Sequence, residues 1–238
     1  MFRRFLLLLL IALLAAVANA QSSSDKTNEY RVTLVDSRPL NNRISLFTYF
    51  GYINSPDKTT RSLYISPPGI IYRPNKSWEF WLGMFAILNN NTGGSNTFEA
   101  RPLIGAKYYI PNNKKVHLFN FTRYEYRLIY HDSYTESIPR IRDRLGAEFP
   151  LRQDNAWKPG SYYGLADAEG FYRLDDHFLQ TVRVRAGIAY ILNEDWRFEF
   201  IYHAEFTGTA DNSPHYSGNI FRLNIKLSLP QNGIRDHL

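Results

Sequence analysis

The sequence predicts an all-β fold, an antiparallel transmembrane β-barrel of about ten strands, and three observations lead there. Segments such as Phe119 to Tyr130 and Leu179 to Leu192 alternate residue by residue, with arginines on one face and aromatic or aliphatic side chains on the other. The chain opens with the pattern of an export signal, Arg3-Arg4, an apolar run from Phe5 to Val17, then Ala18-Asn19-Ala20. Beyond that signal no apolar run approaches the ~18 residues a spanning helix needs, so a bilayer would be crossed by strands.

Taken in order, residues 1–20 are the signal peptide and 21–41 an N-terminal periplasmic segment, within which Tyr30 to Val35 also alternates. That stretch is an eleventh strand, an edge or an extension, and a twelve-stranded barrel would need a further partner. The barrel is expected over 42–230, with strands at 42–52, 62–73, 78–90, 98–110, 116–130, 136–151, 161–174, 179–192, 196–207 and 219–229. An even count places both ends on one side, the periplasmic one. The connections Pro74 to Ser77, Pro111 to Lys115 and Asn193 to Asp195 are short, with Arg152 to Gly160 the longest of that set. Ile53 to Arg61, Asn91 to Thr97 and Gly208 to Gly218 are longer and richer in Gly, Asn and Ser, as external loops are. Residues 231–238 form a C-terminal tail, and the last strand lacks a terminal aromatic.

Aromatics fall where interfacial girdles would lie. Tyr72, Trp78, Tyr108, Tyr190 and Trp196 stand near the short turns, and Tyr52, Tyr64, Tyr130 and Tyr172 form the opposite ring. The alternative, a soluble periplasmic barrel of lipocalin type with these aromatics in its core, has to place inward arginines in that same core.

Composition narrows the function classes. The chain has no cysteine, which removes thiolate metal sites and a lipidated N-terminal cysteine. The formal charge of +6 falls to +4 once Arg3 and Arg4 are cleaved, mild enough to argue against nucleic-acid binding. No phosphate-binding loop, dinucleotide fingerprint, zinc helix or calcium loop occurs, so neither a cofactor nor a metal is expected.

With aromatics facing lipid, the inner face collects Arg101, Lys107, Arg123, Arg127, Arg140, Arg142, Arg144, Arg183, Arg185, Arg197, Arg222 and Lys226. The same parity gives Glu79, Glu99, Glu125, Glu148, Asp167, Glu169, Glu199 and Glu205, with His203 between the last two. Arg123-x-Glu125-x-Arg127 is expected to pair with Arg140-x-Arg142-x-Arg144 across their hairpin, since opposite charges on neighbouring strands attract.

This pattern resembles an uncharacterised bacterial family of outer-membrane β-barrel proteins described as a domain of unknown function. The resemblance rests on Pro68-Gly69-Ile70 with Tyr72, Glu99-x-Arg101, Arg123-x-Glu125-x-Arg127 and Arg140-x-Arg142-x-Arg144-Leu145, and runs from about Arg43 to Leu229. It implies a location, the Gram-negative outer membrane, and no reaction. The expected partners are outer-membrane lipids and lipopolysaccharide, the barrel-insertion machinery and small anionic solutes.

Three functions remain in view. The first is a narrow or gated, porin-like pore, or a structural surface protein, with an arginine-rich lumen. The second is a hydrolase, protease or lipid-modifying, at the external rim, where His131-Asp132-Ser133 and Asp175-Asp176-His177 crown adjacent hairpins. The third is the soluble ligand-binding barrel. In a narrow lumen the inner charges would largely cross-pair, so an occluded, mildly anion-selective interior is favoured over an open channel.

Overall fold

The computed structural model describes residues 26–228, apart from 59, 93, 113–114 and 153–155. The expected signal peptide and C-terminal tail lie outside the described residues. Eleven strands close into one barrel: β1 (Thr27–Pro39), β2 (Ile44–Ser55), β3 (Thr60–Tyr72), β4 (Trp78–Asn91), β5 (Thr97–Ile110), β6 (His117–Tyr130), β7 (Thr135–Pro150), β8 (Tyr162–Arg173), β9 (Phe178–Ile191), β10 (Trp196–Thr209) and β11 (Asn212–Ser228). A 3-10 turn, Pro56–Lys58, follows β2.

The strand count and the purely antiparallel pairing expected from sequence are both corrected here. Every consecutive pair is antiparallel, but β1 closes the barrel against β11 in parallel, from Thr27 opposite Gly218 to Ser37 opposite Ser228. The stretch read as a periplasmic segment is therefore wall. A ten-stranded sheet would leave β2 and β11 with unpaired edges, and β1 supplies hydrogen bonds to both.

An odd count also separates the ends of the described chain. We call the rim holding Ser228 and the connections 40–43, 73–77, 111–116, 151–161 and 192–195 the lower rim; the upper rim holds Thr27 and the connections 56–59, 92–96, 131–134, 174–177 and 210–211. Thr27 and Ser228 thus lie at opposite rims, against the expectation that both termini share one side. The expected long upper loops are short, because β2, β3, β10 and β11 continue through them. Polar Asn, Ser and Thr residues that read as loop pair as strand here, for example through the 2.9 Å Thr207 to Ser217 hydroxyl contact.

The outer face of the sheet is apolar, and much of the inner face is charged. Leu82, Ile104 and Leu145 are each 58% exposed, whereas Glu125 is 0% exposed. All eleven strands carry at least one exposed large hydrophobic side chain on the outer wall, whereas a monomer in water usually limits such exposure to small patches. Aromatic contacts band this wall near both rims: Trp78 against Tyr108 at 4.7 Å and Tyr162 against Tyr190 at 4.8 Å below, Phe98 against Tyr130 at 5.7 Å above. Tyr64 leaves the expected upper ring. It stands opposite Gly51 and the buried Ile87, on the inner face with Ser62 and Ser66.

The motif Pro68-Gly69-Ile70 marks an irregularity in β3. Two consecutive prolines, Pro67 and Pro68, offer no N–H to the ladder, and the register slips by one residue against β2. Gly69 faces inward there against the Phe47 ring, where any Cβ would collide with it.

Candidate functional site: the charged lumen

Register brings the inner charges together. Glu125 on β6 lies directly opposite Arg140 on β7, and Arg123 opposite Arg142. Glu125 accepts from Arg140 at 2.6 Å and from Arg142 at 2.8 Å, with Arg123 at 3.5 Å and Arg101 at 4.0 Å. Arg142 spans two strands by also donating to Glu169 on β8 at 2.8 Å. Glu99 holds Arg101 and Arg127, each at 2.7 Å, the second in a bidentate fork. The hairpin ladder anticipated from the sequence is thus the centre of a network in which three carboxylates serve five arginines, Arg101, Arg123, Arg127, Arg140 and Arg142, across β5, β6, β7 and β8.

The remaining wall is organised differently. Arg185 pairs with Asp167 at 2.5 Å, Arg183 with Glu205 at 2.6 Å, and Lys226 with Glu199 at 2.5 Å. Glu199 also accepts from Tyr163 and Asn224. Glu79 holds Arg73 at 2.7 Å, and Glu148 faces His117 at 3.8 Å. Arg222 rests on neutral oxygens, Tyr49 Oη at 3.1 Å and Thr33 Oγ1 at 3.4 Å. His203 is 1% exposed, and neither ring nitrogen has a hydrogen-bond partner among the described residues, so it lies in the lumen without joining the network.

Sequence reasoning missed Glu29, Arg31 and Arg73, all facing inward. The first two belong to β1 and form an ion pair with each other. Among the described residues the cations of the inner face outnumber its acids. Lys107, Arg144, Arg197 and Arg222 have no carboxylate within 4.0 Å among the described residues. Arg144 instead lies over the Phe119 and Phe121 rings, and Lys107 lies over Tyr109 and Phe119.

At mid-height the lumen is filled. Buried inward side chains come from every strand, among them Thr33, Ile53, Ser62, Ile87, Glu99, Glu125, Arg140, Glu169, Arg185, His203 and Ile220. At the lower rim it opens into a cavity of about 730 Å³. The 151–161 connection, absent from the expected site, contributes to its wall. Trp157, at a φ of 60°, stacks on His117 at 4.1 Å and packs against Tyr163, and its indole N–H donates to the Lys115 carbonyl at 3.0 Å. Gly160, at a φ of 80°, turns the chain back toward Ser161 and β8, where a side chain would be strained.

The rim residues proposed for catalysis lie at the upper end. Asp175 and Asp176 both pair with Arg173, at 2.5 and 2.9 Å, and the Asp175 carboxyl is held below its ordinary value by that hydrogen bond. His131 stacks on Tyr134 at 4.2 Å, and His177 adopts a φ of 55°. No hydrogen bond joins His131, Asp132, Ser133 or His177 into an acid–histidine or serine–histidine pair among the described residues.

The model of the family Protein of unknown function (DUF2490) matches residues 34–215, from within β1 to within β11. The chain belongs to this family. No curated protein matches it. The DUF2490 match covers the acid-centred network and the lining of the lower cavity apart from Lys226 and Ser228.

Proposed function

We propose that this DUF2490 protein is a Gram-negative outer-membrane barrel, exported by a cleaved signal peptide, with a gated and mildly anion-selective lumen. The observation that carries this reading is the apolar, aromatic-banded outer wall on all eleven strands around an interior with a surplus of cations. Water cannot solvate such a wall favourably, whereas lipid and lipopolysaccharide can. The same wall disfavours the soluble ligand-binding barrel, and the pairing of both rim aspartates with Arg173 disfavours the hydrolase. The surplus cations attract small anions, and the packed mid-lumen is the gate, opened by separating the Glu125 and Glu169 pairs.

Single-channel recording of the refolded mature protein in a planar bilayer under a salt gradient tests this. Discrete openings with anion preference, inverted by Arg142→Glu with Arg144→Glu, support the gate. The filled lumen favours one other reading, a structural barrel that never opens. Silence from protein shown to be folded and inserted would select that reading.

A further inference from the structure

We infer that the lower-rim cavity is a binding site for a small amphipathic organic anion, one carrying a carboxylate, sulfonate or phosphate on an aromatic or short aliphatic body. Its volume of about 730 Å³ lies inside the range of small-molecule sites, which runs to roughly 1,000 Å³. Seven lysines and arginines line it against two acids, Glu79 and Glu194. Glu79 is already engaged, accepting from Arg73 at 2.7 Å and from the Trp81 indole at 3.2 Å.

Among the described residues five of the lining cations have no carboxylate within 4.0 Å, and two of these, Lys107 on β5 and Arg197 on β10, stand on the barrel wall itself. In the closed strand order these strands are five steps apart one way and six the other, so the two cations face the mouth from opposite walls. Lys107 donates to Tyr109 Oη at 2.7 Å, which leaves two of its three N–H groups for a ligand. The Arg197 Nε is buried and has no hydrogen-bond partner among the described residues. A buried donor left unanswered costs free energy that an incoming oxyanion would recover.

The rest of the lining specifies the ligand's body. Phe47, Ile71, Trp81 and Trp157 present apolar surface between the cations. Trp157 is fixed in place by the His117 stack and the bond to Lys115, so an aromatic wall exists before any ligand arrives. A bare inorganic anion would use the charges and leave this surface unused.

Isothermal titration calorimetry of the folded protein in non-ionic detergent micelles tests the site, with phenyl phosphate, inorganic phosphate and benzyl alcohol as probes and empty micelles as the blank. The expected result is saturable one-to-one binding of phenyl phosphate at least tenfold tighter than inorganic phosphate, and no saturable binding of benzyl alcohol. Lys107→Gln with Arg197→Gln should weaken phenyl phosphate at least tenfold. Trp157→Ala, a change outside the barrel wall with folding checked by circular dichroism before titration, should bring phenyl phosphate down to the level of inorganic phosphate. Equal affinities for the two phosphates, or phenyl phosphate binding that both variants leave unchanged, would overturn the proposal. Equilibrium binding in micelles requires no conduction, so a silent bilayer recording and a failed titration are separate results.

Discussion

The inner wall has two arcs that handle charge in opposite ways. Across β5, β6, β7 and β8, three buried carboxylates each hold two or more arginines. Across β9, β10, β11, β1 and β2, the pairs are mostly single, Arg222 relies on neutral oxygens, and both His203 nitrogens lack partners. The charges acting on His203 come from Arg31, Arg183, Arg185 and Arg222. The difference lies in register. Where Glu and Arg alternate on adjacent strands, every acid meets at least two arginines; where acids are sparse, the barrel closes in arginines such as Arg222 without a carboxylate. The first arc ties neighbouring strands together through shared carboxylates, and the second leaves positive charge that is less fully paired.

The largest expected effect strikes the hub of the first arc. Glu125→Gln leaves Arg101, Arg123, Arg140 and Arg142 without their shared carboxylate and should cost about 3–5 kcal/mol, read by urea unfolding in lipid vesicles. A loss below about 1 kcal/mol would mean that the arcs do not differ. Next is the contrast between outer and inner wall. Leu145→Arg on the exposed face of β7 should destabilise the vesicle-inserted protein by ~2–4 kcal/mol, whereas an exposed site in a soluble barrel would shift by about 0.5 kcal/mol or less.

In the second arc, Arg222→Gln removes a cation with no acid partner and should cost less than about 1 kcal/mol, the scale of neutral hydrogen bonds. A cost equal to that of Glu125→Gln would erase the distinction between the arcs. The smallest effect belongs to the upper rim. Because Arg173 lowers the Asp175 carboxyl from its ordinary value, that pair stabilises the fold above the usual carboxylate range, and the contribution disappears as pH falls through the lowered value. Acid titration should therefore show wild type and Asp175→Asn converging at low pH, and a gap that widened instead would contradict the pairing.

Much of this was legible from residue order. Period-two alternation identified ten of the eleven strands and placed the Glu99, Glu125 and Glu169 arc on the inner face, because side-chain direction in a strand depends on parity alone. The pairing of Arg140 and Arg142 with Glu125 followed from one hairpin, a local relation. Tyr64 was misplaced because its parity conflicts with its chemistry: a tyrosine is at home in an interfacial ring and equally in a polar lumen.

Residue order could not reveal closure. That Thr27–Pro39 pairs in parallel with Asn212–Ser228 depends on strands some 190 positions apart meeting, and no local pattern encodes a contact whose only requirement is that two open edges find each other. The same holds for the lower cavity. Parity put Lys107 and Arg197 on the inner face but nothing in the sequence singled out Trp157, and the three become neighbours of one space only because a closed sheet brings opposite walls face to face.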